Sequence, residues 1–443
     1  MLKTFPKGGV HPAEGKLSAD QPIATLPLPE TVAIPIAQHI GAPAKPTVKK
    51  GDQVKVGDVI AQSGGFVSAN IHASVSGKVL KIDNVIDTSG YKKPCVIIQR
   101  QEDEWNDEID RDQSLNKHIT HSAKEIVEKV LKAGVVGLGG ATFPAHVKLS
   151  VPEGKKVDLL IINGVECEPY LTADHRVMLE KADEMLVGIQ LLMKALGVER
   201  AIIGIENNKP DAIEHLHTRI SHYKGIEVQG LKVKYPQGGE KQLIKALVDR
   251  EVPSGGLPLD VGAVVHNVGT AYAVYEAVQK NKPLIERVVT VTGKSVKKPS
   301  NLMVRIGTPV HQLIDFAGGL PNDTGKVING GPMMGKALNS LDVPVVKGTS
   351  GILILPQKMA KRKTESTCVR CAKCVSVCPM GLEPYLLIKQ TQKEMYDQLE
   401  ANAVMDCIEC GSCSYTCPAG VPLLDYIRLG KGKVSQIMRS RKS

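Results

Sequence analysis

The chain has 443 residues, which is too long for one ordinary hydrophobic core and indicates about three or four domains. Apolar residues make up 42% and charged residues 23%, as in soluble globular proteins, and no apolar run approaches the roughly 20 residues of a membrane-spanning helix. The first residues lack the apolar block of a secretory signal, which predicts a cytoplasmic location. The formal charge of +10 suits an acidic redox partner or an anionic membrane face, whereas 3% aromatic residues are too few for base stacking, so no nucleic-acid partner is expected.

The first hundred residues predict an extended arm and a small β barrel. Residues 1–29 are rich in proline and glycine, which is typical of an arm. Residues 30–100 carry short strands with turn signals, and their patterns Gly-Asp-x-Val and Ile-x-Ala-x-x-x-Gly-x-Val resemble the barrel-sandwich hybrid of lipoyl and biotinyl carriers. Such a carrier has its modified lysine where this chain has Phe66. We therefore expect the fold without the carrier function.

The middle of the chain predicts a linker and an α/β domain. Residues 101–120 include an acidic, polar stretch that is typical of a linker. Over residues 121–285, a capping box at Ser122 and Glu125 starts a helix, and apolar strands then alternate with helices. The predicted strands are Asp158–Ile162 and Ala201–Ile205, and the predicted helices are Lys181–Leu196 and Gly239–Asp249.

The last third predicts a second β module and a helical end. Residues 286–357 return to apolar strands, Val288–Thr292 and Gly351–Leu355, around one short helix, His311–Ala317, and fit a small β-grasp domain. Residues 358–443 begin with a basic linker and are mainly helical, with one predicted helix from Pro384 to Glu400.

Eight of the ten cysteines form two copies of one spacing, Cys-x2-Cys-x2-Cys-x3-Cys-Pro. The two-residue gaps allow three thiolates of one loop to hold three corners of a [4Fe–4S] cluster, and in two-cluster ferredoxins the fourth cysteine ligates the other cluster. One cluster is therefore assigned to Cys368, Cys371, Cys374 and Cys417. The other is assigned to Cys378, Cys407, Cys410 and Cys413.

Zinc is the alternative metal for clustered cysteines. Structural zinc sites usually take four ligands as two separated pairs, rather than this longer run occurring twice. The repeated spacing favours iron–sulfur clusters, and the protein is expected to move electrons. Cys95 and Cys167 stand apart from the repeats and are expected to be inert thiols.

A glycine-rich loop, Gly137-Leu-Gly-Gly-Ala-Thr-Phe-Pro144, follows the first helix of the α/β domain. A Rossmann fingerprint would follow a strand, so a simple dinucleotide turn is not expected. Small residues expose backbone N–H groups and Lys148 adds a charge, which leaves a phosphate cradle and a structural turn as open interpretations.

Acidic and polar residues follow this loop at strand ends. Glu166 and Glu168 come directly after a buried strand, where open α/β sheets bind ligands, and are predicted to bond ribose or carboxamide groups. Solvated loop carboxylates are the alternative interpretation. The segments Tyr235–Lys241 and Val264–Thr270 place further polar groups beside a helix and at a strand end.

Together these segments resemble a known family. The glycine loop with Lys148, then Asn163–Pro169, Gly239–Glu240 and Asn267–Thr270, occur in the same order in the flavin-binding NADH subunit of respiratory complex I. Nearly the whole chain is similar to the RnfC family, through its barrel, residues 165–176 and 329–335, and the paired cysteine motifs. Complex I differs in having an arginine at the position of Leu138 and an aspartate at that of Val165.

The resemblance implies a multidomain α/β fold: a barrel-sandwich hybrid, an α/β FMN/NADH-binding domain, a β-grasp domain of the SLBB type and a helical ferredoxin-type domain with two [4Fe–4S] clusters. FMN would be non-covalent, NAD(H) would be the substrate, and no side chain would act as a catalytic acid or base. The residues implied to hold FMN are Gly137, Gly139, Gly140, Lys148, Asn163, Tyr235, Gly239, Glu240, Asn267 and Thr270. Glu166 and Glu168 would face the nicotinamide nucleotide.

The resemblance also implies a peripheral subunit of the Rnf membrane complex, a ferredoxin:NAD+ oxidoreductase and translocase that couples electron transfer to Na+ or H+ movement. FMN would exchange a hydride with NAD(H) and pass single electrons to the clusters. Integral membrane and ferredoxin-like subunits would be the partners and would hold the chain on the cytoplasmic side of the cell membrane. A soluble flavin and iron–sulfur reductase such as a cobalamin reductase, and a ligand-binding module without chemistry, are the alternatives.

Overall fold

The computed structural model describes residues 1–441, and its N-terminal arm is packed against the rest of the chain. Phe5 is 1% exposed and lies in a core cluster of the α/β domain with Leu243 and Ile244. The arm has little regular structure until β1 (Ile23–Thr25), which joins the sheet of the β-grasp domain. The predicted arm is therefore extended but partly buried, because its few apolar side chains fill gaps between domains.

Two small antiparallel sheets form the barrel, with strand orders β2-β8-β7-β4 and β3-β5-β6. The strands are β2 (Thr31–Pro35), β3 (Lys45–Pro46), β4 (Gln53–Val54), β5 (Val59–Gln62), β6 (Ile71–His72), β7 (Gly77–Ile86) and β8 (Lys92–Arg100). Alternate side chains of the paired strands β2 and β8 point inwards, so that Val32, Ile34, Val96 and Ile98 are fully buried. Phe66 is exposed, as a modified lysine of a carrier would be.

The segment predicted as a linker packs onto the folded body. Trp105 forms an isolated β bridge with Val56, and Ile109 is buried. The guanidinium of Arg305 lies 4.7 Å from the ring centroid of Trp105. Two apolar side chains within an acidic stretch are enough to anchor it.

A four-stranded parallel sheet with the order β11-β10-β9-β12 forms the centre of the α/β domain. Its elements are α1 (Ala123–Lys132), α2 (Ala145–Leu149), β9 (Leu159–Asn163), α3 (Ala173–Glu180), α4 (Ala182–Leu196), β10 (Ala201–Glu206), α5 (Pro210–Arg219), β11 (Ile226–Leu231), α6 (Glu240–Val248), β12 (Ala263–Asn267) and α7 (Val268–Gln279), with 3-10 turns at Ile220–His222 and Pro258–Val261. The predicted capping box at Ser122 and Glu125 is present, and helix α4 ends at Gly197 in the left-handed conformation. Strands β9 and β10 are apolar up to their last residues, Asn163 and Glu206, because helices cover both faces of the sheet.

The β-grasp domain is a six-stranded mixed sheet, β1-β14-β13-β17-β15-β16, around one helix. The elements are β13 (Glu286–Thr292), β14 (Ser300–Arg305), α8 (Val310–Phe316), β15 (Thr324–Asn329), β16 (Lys336–Ala337) and β17 (Gly351–Pro356). Both predicted strands and the predicted helix of this domain are confirmed.

The C-terminal domain is helical: α9 (Gln357–Ala360), α10 (Lys373–Ser376), α11 (Pro384–Gln392), α12 (Tyr396–Ala401), α13 (Ser412–Thr416) and α14 (Leu423–Ser440), with a 3-10 turn at Val404–Asp406. The prediction of one helix from Pro384 to Glu400 is wrong. Glu394 has φ +54, which interrupts the helix and sets α12 against α14. Within residues 1–441, every helix is too short or too polar to cross a membrane.

Candidate functional site

The strand order creates a switch point between β9 and β12, where ligands bind in open α/β sheets. Asn163 and Asn267 end these two strands and are paired in register. The Asn163 Nδ2 group donates to the Gly238 carbonyl at 2.9 Å. The Asn267 Oδ1 atom accepts from the N–H groups of Gly269 and Thr270 and caps α7. Two asparagines predicted for the FMN site therefore stand together at the ligand edge of the sheet.

The glycine loop lies over this edge. A side chain added at Gly139 would come within 3.4 Å of Asn267, whereas one at Gly140, where φ is +105, would meet nothing within 4 Å. The N–H of Leu138 donates to the buried Thr270 hydroxyl at 2.9 Å, which fixes the loop. Gly137 closes it by donating to the Phe143 carbonyl at 2.9 Å. The loop thus offers exposed backbone and open space, which suits a phosphate-bearing cofactor such as FMN.

Lys148 and Glu240 close one side of the same edge. The Lys148 ammonium lies 2.6 Å from the Glu240 carboxylate and also donates to the Val265 carbonyl at 3.0 Å. Glu240 begins helix α6, whose N-cap is Gly239. The structure thereby brings together residues predicted from three separate segments.

The two predicted carboxylates are held by backbone amides. Glu166 accepts from the N–H groups of Asp174 (2.8 Å) and His175 (3.1 Å) at the start of α3. Glu168 accepts from Met333 (3.1 Å) and Met334 (2.7 Å) in the loop after β15. Burial raises the pKa of Glu168 to about 7, although those two amide bonds favour the ionised form.

Buried cations bind the backbone carbonyls of the two residues, Leu138 and Val165, at which this chain departs from complex I. Arg287 donates to the Leu138 carbonyl at 3.3 Å, and Lys209 donates to the Val165 carbonyl at 2.8 Å. Burial lowers the pKa of Arg287 to about 10 and that of Lys209 to about 8. Sequence reasoning missed both, although a charged residue at the start of the apolar strand β13 is a usable signal.

Asp174 is a further partly buried carboxyl group that the sequence did not indicate. Its carboxylate accepts from Asn267 Nδ2 at 2.6 Å, and burial followed by the charge of Glu166 raises its pKa to about 7. Asp174 and Arg287 line a small, partly open pocket beside Leu138 of the glycine loop.

Four of the eight repeat cysteines line one apolar cavity of about 370 Å³, part of it open to solvent. We call it the inner cluster site, and its thiols are Cys378, Cys407, Cys410 and Cys413. Burial raises the thiol pKa of Cys407 to about 11 and of Cys413 to about 12, and each neighbouring thiolate adds to this. The structure thus places Cys378 with the three cysteines of the other repeat, as the predicted ligation requires.

The remaining four cysteines, Cys368, Cys371, Cys374 and Cys417, are the ligands predicted for the other cluster, and we call their region the outer cluster site. Cys368 and Cys371 are exposed, whereas Cys374 and Cys417 pack against the apolar core of the domain. Among the described residues, no three His, Cys, Asp or Glu side chains converge on a single-ion position. A four-iron cluster spaces its thiolates more widely than one ion does, and an all-thiol donor set suits it.

The two single cysteines differ in position. Cys95 is buried in the barrel, and Cys167 lies beside Gly238 and Cys410, between the α/β domain and the inner cluster site. Burial raises the pKa of both thiols to about 12.

Four family models match the chain in the predicted order. They are the RnfC barrel sandwich hybrid domain over residues 3–103, the Nuo51 FMN-binding domain over 130–276, the SLBB domain over 288–337 and the 4Fe-4S dicluster domain over 360–418. The predicted fold class is confirmed, and the chain is an oxidoreductase subunit that carries FMN and two [4Fe–4S] clusters.

Relatives identify the family. The chain is 50% identical over 400 residues to a component of the proton-translocating ferredoxin:NAD(+) oxidoreductase complex of Clostridium ljungdahlii, covering 90% of this chain and 86% of the relative. It is 48% identical to the counterpart in the Na(+)-translocating complex of Acetobacterium woodii, covering 97% and 96%. It is 42% identical to the counterpart in the ion-translocating oxidoreductase complex of Rhodobacter capsulatus, covering 98% and 84%. The chain therefore belongs to the RnfC family.

A solved structure shares the fold. An NAD+-reducing [NiFe]-hydrogenase in the H2-reduced state aligns with a TM-score of 0.50 and 19% sequence identity, over 72% of this chain and 64% of that chain.

Proposed function

We propose that this chain is the peripheral subunit through which an ion-translocating membrane complex exchanges electrons with NAD(H). Bound FMN supplies hydride exchange with NAD(H) and one-electron transfer, and each cluster supplies a one-electron relay. The chain's own residues hold and orient these groups. The Gly137–Gly140 loop and the asparagines Asn163 and Asn267 would hold FMN at the switch point, with Lys148 paired to Glu240 beside it.

One observation carries the proposal. The edge of the sheet where FMN is proposed to bind, which we call the flavin edge, is in direct contact with the inner cluster site. The Tyr235 hydroxyl donates to the Cys410 carbonyl at 2.8 Å. Gln242, in helix α6, lies 3.1 Å from the sulfur of Met380. The Met333 carbonyl lies 2.8 Å from where a side chain on Gly411 would begin, so the β-grasp loop reaches the same place.

These contacts support an order for electron transfer between FMN and the two cluster sites. The inner cluster site lies against the flavin-binding domain, whereas the outer cluster site has two exposed ligands. Electrons would therefore pass between FMN and the outer site by way of the inner site.

The surface beside the outer site suits an acidic, electron-carrying partner subunit. Exposed positive side chains flank the ligands Cys368 and Cys371, and two carboxylates, Glu365 and the Asp425 partner of Arg362, offset only part of that charge. These cations are Lys361, Arg362, Lys363 and Arg370. Opposite charges speed encounter and orient the partner, which fits a ferredoxin-like subunit anchored by integral membrane subunits on the cytoplasmic side.

The test is anaerobic purification of the full chain with iron, sulfide and flavin analysis, followed by titration with NADH. We expect one FMN and about eight iron atoms per chain, and NADH should bleach the flavin and reduce the clusters. In a Gly140→Phe variant, the new ring would fill the space above the loop and abolish flavin binding while iron is retained. Gly154→Phe is the matched control, since Gly154 also has a positive φ and open surroundings.

Two results would contradict the proposal. A wild-type chain without flavin that does not oxidise NADH would favour a ligand-binding module. An active chain that never co-purifies with integral membrane subunits from native membranes would favour a soluble reductase.

A further inference from the structure

The N-terminal arm touches both ends of the path between the flavin edge and the inner cluster site. Its first residues extend the parallel sheet, because Lys3 accepts from the Lys232 N–H at 2.9 Å and donates to the Gly230 carbonyl at 3.3 Å. Phe5 then enters the core of the α/β domain. The arm is thus anchored to the domain that holds the flavin edge before it reaches the cluster.

Lys16 holds the loop that follows β9. Its ammonium donates to the backbone carbonyls of Glu166 (2.8 Å), Glu168 (3.0 Å) and Leu171 (2.7 Å). Within this loop, Glu166 has φ +44 and Tyr170 has φ +72, a conformation that residues other than glycine rarely adopt. Three carbonyls turned towards one ammonium offset that strain, so the loop depends on the arm for its shape.

Gly8 and Gly9 hold the turn that carries the Cys378 ligand. The Gly9 N–H donates to the Val377 carbonyl at 2.9 Å. A side chain on Gly8, where φ is +66, would come within 2.5 Å of the Cys378 carbonyl. The arm therefore runs flush against the backbone of a cluster ligand, which only glycine permits.

Between these contacts, Val10 of the arm pairs with Tyr235, which joins the flavin edge to the inner cluster site. Val10 donates to the Tyr235 carbonyl at 2.8 Å, and Tyr235 donates back to the Val10 carbonyl at 2.9 Å. Seven residues separate Gly8 from Lys16, so one short segment touches the Cys378 turn, Tyr235 and the loop after β9.

We propose that residues 8–16 form a clasp that fixes the separation of the flavin edge and the inner cluster site, with Gly8 and Lys16 as positioning residues. The inference rests on the proposed function. Electron transfer slows steeply with distance, whereas hydride exchange at the flavin, once NADH is bound, does not depend on the distance to the cluster. The clasp should therefore govern the step between flavin and inner cluster and leave flavin reduction unchanged.

The test uses the full chain with FMN and both clusters, in three variants: Lys16→Met, Lys16→Arg and Gly8→Ala. Lys45→Met, at an exposed barrel lysine, is the control for the lost charge. Gly197→Ala is the control for strain, since Gly197 has φ +67 and nothing within 4 Å of an added side chain. Stopped-flow absorbance would follow flavin reduction by NADH, and freeze-quench electron paramagnetic resonance would follow cluster reduction.

We expect Gly8→Ala to slow cluster reduction about tenfold, because small displacements of reacting groups are costly, while flavin reduction and iron content stay at wild-type values. Lys16→Met should slow cluster reduction to the same extent. Because it also frees the loop that carries Glu166 and Glu168, its flavin reduction is compared at saturating NADH, where a weaker hold on the nucleotide does not enter the rate. Lys16→Arg should restore most of the rate, and both controls should match wild type. Equal slowing of both steps, or an unchanged rate of cluster reduction in both variants, would overturn the clasp.

Hydrogen–deuterium exchange supplies a readout that does not depend on activity. Loosening one end of a clasp should loosen the other, so Lys16→Met should raise amide exchange at residues 377–382 as well as at 164–171. Faster exchange confined to residues 164–171 would overturn the inference even if NADH reduces the flavin normally. Failure of NADH to reduce wild-type flavin would instead count against the proposed function, with the exchange result still deciding the clasp.

Discussion

The Tyr235 hydroxyl donates a 2.8 Å hydrogen bond to the backbone carbonyl of Cys410, and both residues are buried. Burial raises the pKa of the Tyr235 hydroxyl well above its usual range, so the group stays protonated and remains a donor. The resemblance implied that Tyr235 holds FMN. In the structure, its hydroxyl joins the flavin-binding domain to the backbone of Cys410, a predicted cluster ligand.

Replacing Tyr235 with phenylalanine should lower the reduction potential of the inner cluster. The substitution keeps the ring but removes a hydroxyl dipole whose positive end points at the carbonyl of the ligand Cys410, and positive charge close to a cluster favours its reduced form. We expect a decrease on the order of 30 mV, which is about 0.7 kcal/mol for one electron. An anaerobic redox titration followed by electron paramagnetic resonance would measure it. Tyr223→Phe, which breaks a bond to Asp183 in the α/β domain, is the control and should leave the potential unchanged.

Replacing Cys378 with serine should remove the inner cluster and spare the outer one. Cys378 lies with the cysteines of the second repeat, so its loss should lower the iron content from about eight to about four atoms per chain. Cys95→Ser is the control, because Cys95 is a buried thiol outside both sites. If the variant instead loses the centre of Cys368 and Cys371, the crossed ligation is refuted.

Replacing Thr270 with valine should weaken FMN binding. The buried Thr270 hydroxyl accepts the Leu138 N–H, so valine leaves that amide without its partner and frees the glycine loop. A lost buried hydrogen bond costs about 1–2 kcal/mol, which predicts roughly tenfold weaker FMN binding. Fluorescence titration of the apoprotein with FMN would measure it.

The control for this change is Thr292→Val. The Thr292 hydroxyl is buried without a hydrogen-bond partner among residues 1–441, so valine removes only an unsatisfied group. Equal FMN affinity in Thr270→Val and Thr292→Val would show that the bond to Leu138 does not shape the site.

Local patterns predicted the elements of this fold well. The alternation of apolar strands with helices gave the parallel sheet, and the repeated cysteine spacing predicted a pairing of Cys378 with the other repeat that the structure reproduces in space. These features depend on short-range chemistry, such as side-chain period, capping and ligand spacing. Each of these features involves residues that are close together in the sequence.

Contacts between distant segments could not be predicted. Nothing near Lys16 indicates that its ammonium meets three carbonyls some 150 residues away, and the polar stretch around Trp105 concealed its return to the barrel. The hydrogen bond from Arg287 to the Leu138 carbonyl is another contact between distant segments. A buried cation bound to backbone carbonyls leaves no periodic signal, because its partners are atoms that every residue has.

The partly buried carboxyl group of Glu168 predicts a pH dependence of stability. Burial raises its pKa from the ordinary 4.5 to about 7. Between these values, the folded chain binds a proton that the unfolded chain has lost, so the stability contribution of this group is full below pH 4.5 and is lost as the pH rises to about 7.

The variant Glu168→Gln tests this. It keeps the shape of the side chain and one acceptor oxygen for the Met333 and Met334 amides, but it does not titrate. The free energy of unfolding of wild type, relative to this variant, should fall on the order of 2 kcal/mol across that range, less than the full shift because the side chain is only half-buried. Anaerobic denaturant titrations between pH 5 and 7.5, with the exposed Glu102→Gln as control, would measure the difference, and a constant or rising difference would show that Glu168 is ionised throughout.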